Sequence, residues 1–246
     1  MHPLYAALIA AADGTFPAVD GGVDVCEPDA HGATACVEFT GHSFVLTTHE
    51  PAAVIACGAD GYGGATQPDL LRWLAGPRGT IGSHDAVLVA RGRGGGGRRV
   101  GGGRGGARVR ERTDLDDHPR VRRARHHRRD VRVYADDHGL ITIGHGLVGR
   151  REVSVELFDP DLRAVVAPPG AGGALIDEAL HLVPSSDLVW AQVAPGNAAS
   201  LRAFLRCGFV PIGAEVLFEA EPPGRASPTA ERTATGMSWN DFVADM

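Results

Sequence analysis

The chain has 246 residues, 43% hydrophobic and 22% charged, with a net charge of −6. Such a balance is ordinary for a soluble protein, and the length allows one large domain or two small ones with a real core. All 24 basic residues are arginine, fifteen of them between Arg91 and Arg132, and glycine occurs 34 times, a bias that reads as a GC-rich genome as much as selected chemistry. The four cysteines (Cys26, Cys36, Cys57, Cys207) show no Cys-x-x-Cys spacing, which argues against zinc and disulfide frameworks and for free thiols in a reducing, cytoplasmic compartment. The apolar opening run "LYAALIAAADG" is too short to cross a bilayer and has no basic segment before it, so neither anchor nor leader is expected.

In chain order, residues 1–90 read as a small α+β region. "LYAALIAAA" suggests a helix, and "TACVEFTGHSFVLTT" two strands turning at Thr40-Gly41-His42. "QPDLLRWLAGP" carries helix start and stop signals, and "DAVLVA" (Asp85 to Ala90) a short buried strand. The Gly-rich turn "GADGYGGAT" before that helix is read as structural. Residues 91–113, rich in Gly and Arg and without periodicity, suggest a linker or loop.

The region 114–220 is the better patterned part. A helix crowded with arginine and histidine is expected within Asp114 to Arg129, then two strands joined by Asp136-Asp137-His138-Gly139, then the strand "REVSVELF". The helix "GGALIDEALHLVP", the strand "LVWAQVA", a helix from Asn197 and the strand "FVPIGAEVLFE" complete the order β-β-β-α-β-α-β. Two crossover helices this late imply a mixed, mostly antiparallel sheet with one parallel pair at the β-α-β connection. Residues 221–246 read as a disordered tail, apart from the closing "WNDFV".

Two stretches carry chemistry. "APPGAGGAL" (Ala167 to Leu175) is a Gly-rich loop entering a helix, where backbone N–H groups and the helix end can hold an anion, although a tight turn accounts for it equally well. "PGNAASLRAFLRCGF" places Asn197 as an N-cap, Leu201, Phe204 and Leu205 toward a core, and Gly208 as the helix stop. In the conjunction of these two motifs the chain resembles the GCN5-related N-acetyltransferases, over roughly Asp114 to Glu219.

The resemblance implies an α/β (α+β) fold of that type with an extra N-terminal α+β region, and a direct transfer of an acetyl group from acetyl-CoA to an amine. It implies a pyrophosphate cradle at Gly170, Ala171, Gly172, Gly173 and Ala174, and a pantetheine arm lined by Asn197, Ser200 and Phe204. The arm would lie between "REVSVELF" and "LVWAQVA", against the backbone at Leu157 and Phe158, whose strand would also hold the oxyanion. Glutamates on this strand serve the family as bases acting through water, which points to Glu156 first and Glu152 second. Four residues apart, at roughly 3.3 Å each, the two lie about 13 Å from one another and form no carboxylate pair.

Two positions depart from the family pattern. Ala167 replaces an Arg or Gln, and Phe204 replaces a tyrosine that protonates the leaving thiolate. They favour a rival reading, a catalytically degenerate module binding CoA or nucleic acid. The arginine-rich segment has no aromatic residue to interleave, so nucleic acid is not the expected partner. No metal spacing is present at His118, His126 or His127. The expected partners are acetyl-CoA and a small-molecule or peptide amine; monomer and homodimer stay open.

Overall fold

The computed structural model describes residues 1–95, 109–158 and 167–221. The expected tail after Glu221, with "WNDFV", and most of the expected linker lie outside the described residues. The elements are α1 (Pro3–Ala12), β1 (Val23–Cys26), β2 (Thr34–Phe39), β3 (His42–Leu46), α2 (Pro51–Ala56), α3 (Pro68–Ala75) and β4 (Thr80–Arg91). They continue with β5 (Arg110–Glu111), α4 (Pro119–His127), β6 (Arg129–Ala135), β7 (Gly139–His145), β8 (Arg151–Leu157), α5 (Ala171–Leu182), β9 (Leu188–Val193), α6 (Ala198–Arg206) and β10 (Val210–Glu219). The order β6-β7-β8-α5-β9-α6-β10 is the one the periodicity implies. Proline in the first turn starts α1, α2, α3 and α4, where its missing N–H costs no hydrogen bond.

All ten strands form one sheet, in the order β1-β3-β2-β10-β4-β9-β8-β7-β6-β5. It is a mixed, mostly antiparallel α/β arrangement, with parallel pairs at β1–β3 and β8–β9. The sheet is continuous across the boundary expected near residue 90. β10 pairs with β2 on one side and with β4 on the other, and β4 in turn pairs with β9. β4 is also longer than expected, because the polar run Thr80 to His84 pairs with Ile81 opposite Phe218 and His84 opposite Val216.

Helices cover both faces. On one, α5 and α6 cover a core of Leu88, Ile141, Val153, Leu175, Ile176, Val189, Ala191, Phe204 and Phe209, and α3 covers a second core around Val45, Leu70, Leu74 and Phe218. On the other face, α1 covers Val37, Phe44, Val87, Val89, Trp190 and Ile212, while α4 covers Leu140, Val133 and Phe158. The described start of the expected linker is tied down: Arg93 N–H donates to Leu180 O and Gly94 N–H to Val183 O. The Gly-rich turn before α3 closes on itself, with Asp60 Oδ1 accepting from the N–H groups of Tyr62 and Gly64.

Candidate active site: a splayed strand pair and a buried charge chain

The parallel junction of β8 and β9 consists of the single pair Glu152–Trp190. Beyond it the strands part, so among the described residues no ladder pairing joins the edges of β8 and β9 that face each other. α5 begins at the same end of the sheet. Its N-cap Gly170 sits at φ +88°, supplies no side-chain cap, and no acidic residue occupies the first turn. A Cβ added at Gly172 or Gly173 would meet nothing within 4 Å. Ala171 is buried and anchors the turn, whereas Ala174 is exposed. The expected cradle is therefore an open, uncharged helix end.

The second motif divides between two roles. Asn197 caps α6, its Oδ1 accepting from Ser200 N–H at 3.1 Å. Phe204 does not line an open arm: it is 4% exposed and stands edge-on to Phe209, ring centroids 4.9 Å apart. It sits at the centre of the α5/α6 core. Leu205, expected to face the core, is 46% exposed, because a nine-residue helix lying on a sheet buries only its Leu201–Phe204 stripe.

The two glutamates of β8 have different surroundings. Glu156 is partly exposed, its Oε2 accepts from Arg120 Nε at 2.5 Å, and His118 Nε2 lies 4.0 Å from its Oε1. Glu152 is buried and both its oxygens are taken, Oε1 by Arg150 Nε at 2.8 Å and Oε2 by Arg128 Nε at 2.7 Å. Burial alone would raise its pKa, but Arg150 and Arg128 bring it below the usual carboxylate range. A carboxylate with no free oxygen and a lowered pKa makes a poor proton acceptor, which corrects the catalytic role expected for Glu152. Leu157 is exposed at the end of β8, while Phe158 turns into the core under α4, where His118 meets its ring at 6.0 Å between centroids.

Sequence reasoning missed the remainder of this face. Arg128 reaches across three strands, donating to Thr142 Oγ1 at 3.4 Å, Ser154 Oγ at 3.3 Å and Gln192 Oε1 at 3.3 Å. Arg150, wholly buried, donates through Nη2 to Glu215 Oε1 at 2.6 Å. The result is a buried chain of alternating charge, Arg128–Glu152–Arg150–Glu215. Burial raises the pKa of Glu215, Arg150 opposes that, and Glu152 and Asp85 add to it. Val148, two residues before Arg150, has φ 51°, a conformation unfavourable for a β-branched residue, and its N–H is held by Asp29 Oδ2 at 2.9 Å. One sequence signal could have found the chain: Gln192 and Glu215 are lone polar residues inside apolar strands.

Among the described residues, one group has metal-ligating spacing: His126, His127 and Glu219, all exposed, with ligand atoms within 4.8 Å of one another. His126 Nε2 and Glu219 Oε1 already pair at 2.5 Å.

No protein-family model matches the chain, and no curated protein matches it in sequence. Among solved structures it is similar to a GCN5-related N-acetyltransferase from Kribbella flavida, at 17% identity and a TM-score of 0.34, covering 60% of this chain and 61% of that one. A protein described as an acetyltransferase of the GNAT family, from Novosphingobium aromaticivorans, matches at 14% identity and a TM-score of 0.33, over 59% of this chain and 69% of that one. A functionally unknown conserved protein from Staphylococcus epidermidis matches at 12% identity and a TM-score of 0.35, over 74% and 73%. The chain thus spans about three fifths of the length of the first of these.

Proposed function

We propose that the protein binds acetyl-CoA in the gap between β8 and β9 and transfers the acetyl group directly to an amine. The observation that carries this reading is the single-pair junction Glu152–Trp190, past which two strand edges face each other without pairing. An extended pantetheine arm can add to such edges as a strand would, through its amides. At the end of the gap, the N–H groups of Gly172 and Gly173 and the positive end of α5 suit a pyrophosphate, while Ala171 N–H is held by Pro168 O and Ala174 N–H by Gly170 O. The uncapped Gly170 and open Gly172 leave room for one. Leu157 and Phe158 would present backbone to the arm, and Asn197 and Ser200 would flank it from α6.

In the reaction, the amine nitrogen attacks the thioester carbonyl and the carbon–sulfur bond breaks. The amine proton leaves through water to Glu156, the β8 carboxylate still reachable from solvent. Backbone N–H groups on the free edge of β8 would hold the oxyanion. With Phe204 in the core, no side chain of α6 protonates the thiolate. A thiol pKa of about 8.5 lets it depart unaided at a cost in rate.

A second reading is favoured by the Arg120–Glu156 pair and by the loss of Glu152 and Phe204 to structural roles: a CoA-binding protein without turnover. Calorimetry with acetyl-CoA and with CoA tests the ligand, and thiol release with amines then tests the chemistry. Absence of binding to either ligand rejects both readings.

A further inference from the structure

The last turn of α4 holds His126 and His127, and the fold brings to them the carboxylate of Glu219, the final residue of β10, 93 residues beyond His126. One ligand atom from each of the three side chains lies within 4.8 Å of the other two, and all three residues are exposed. The imidazole rings stand edge to face, with centroids 4.6 Å apart, and His126 Nε2 meets Glu219 Oε1 at 2.5 Å. The second carboxylate oxygen is held separately: Thr80 Oγ1 donates to Glu219 Oε2 at 3.2 Å. Thr80 is the cross-strand partner of Glu219 on β4, so sheet pairing itself supplies that hydrogen bond.

Two imidazoles and a carboxylate form a donor set suited to a zinc-type divalent ion, which takes nitrogen and oxygen ligands in a tetrahedron. With metal–ligand bonds of about 2.0–2.2 Å, the ligand atoms of a tetrahedron lie roughly 3.3–3.5 Å apart. The His126–Glu219 contact opens by about 1 Å to reach this spacing, and the wider pairs close by up to about 1.5 Å, movements that exposed side chains make by turning about their χ angles. Three further features favour a cation. Thr80 orients the carboxylate, as the outer partners of metal ligands do. The cluster sits at the C-terminal end of α4, where unsatisfied carbonyls carry negative partial charge. The arginines flanking the histidines are paired, Arg125 with Asp116 and Arg128 with Glu152. Arg123, one turn earlier, opposes a cation, an effect that solvent and salt screen. We infer that His126, His127 and Glu219 bind one zinc-type divalent ion, with water as the fourth ligand, and that the ion fastens the end of α4 to the β4–β10 pair. The site is independent of the proposed acetyl transfer.

The test uses the full, untagged chain, stripped with a chelator and titrated with Zn²⁺ by calorimetry. One equivalent should bind saturably and raise the melting temperature, as any ligand of the folded state alone does. His126→Ala and Glu219→Gln should each weaken binding roughly tenfold or more, since even the outer partners of a ligand are worth about that. Both change exposed side chains, so they should melt near the metal-free parent and be read on folded protein. His145→Ala, outside the cluster, should leave binding unchanged, and Arg123→Ala should tighten it. Co²⁺ should give the visible absorption of a four-coordinate nitrogen–oxygen site without a thiolate band, which separates this cluster from the four cysteines. Mg²⁺ and Ca²⁺, which prefer all-oxygen shells, should not compete. The inference fails if no equivalent of Zn²⁺ binds, or if His126→Ala and Glu219→Gln both bind like the parent. A thiolate band in the cobalt spectrum, or displacement by Mg²⁺, would overturn it as well.

Discussion

Phe204→Tyr separates packing from catalysis at the position where the sequence motif calls for a tyrosine. The ring is 4% exposed, edge-on to Phe209 at an interplanar angle of 90°, in a core that also holds Val189, Ala191 and Val193 of β9. A hydroxyl added there enters apolar surroundings with no partner, a cost of about 1–3 kcal/mol. For a chain of this size each kcal/mol lowers the melting temperature by about 2–4 °C, so a fall of roughly 2–12 °C is expected. Acetyl-CoA turnover should stay flat, because the new hydroxyl points into the core. Calorimetric melting and thiol release, measured side by side, check both halves. An unchanged melting temperature with a rate gain approaching the roughly 10²–10⁴ of general acid catalysis would place this side chain at the thioester and refute the packing assignment.

Gly172→Glu adds a side chain to open space, so the variant should melt within about 0.5 kcal/mol of the parent yet lose acetyl-CoA binding by calorimetry. Gly146→Ala puts a Cβ against the Glu152 carboxylate and should destabilise by about 1–3 kcal/mol in urea titration, since either the backbone or the Arg128–Glu152–Arg150 geometry must give way. Asn197→Ala removes the α6 cap and should cost about 0.5–2 kcal/mol. The raised pKa of Glu215 means the folded protein holds that proton more tightly than the unfolded chain, so stability falls as pH rises from the ordinary carboxylate value through the raised one. Glu215→Gln should lack this slope, and parallel stability-versus-pH curves above about pH 4.5 would contradict the assignment.

The late β-β-β-α-β-α-β run was legible because each element carries its own signal: Asp136 to Gly139 at a hairpin, Gly170 and Gly208 at helix ends, strict alternation in Glu152 to Leu157. β1 and α2 escaped because four residues, "VDVC", and six, "PAAVIA", are too short for periodicity to register. The insertion of β4 between β9 and β10 escaped because strand partnership is non-local. The same limit applied at the site. Alternation put Glu152 on the right face of its strand, but its fate depends on Arg128, 24 residues earlier, and on the reach of Arg150 to Glu215, 65 residues later. The motif fixed the Asn197 cap, a local matter, and left open the burial of Phe204, whose surroundings come from β9 and Phe209.

The position of β10 bears on how the chain is made. Both of its neighbours, β2 and β4, come from the first 91 residues, while β10 itself begins at Val210. On a ribosome adding about 5–20 residues per second, β2 and β4 wait on the order of ten seconds before the strand that joins them emerges. Throughout that interval the nascent chain carries two apolar strands with bare edges, Val37 and Val87 among their side chains, a form that pairs readily with other nascent chains and that holdase chaperones shield.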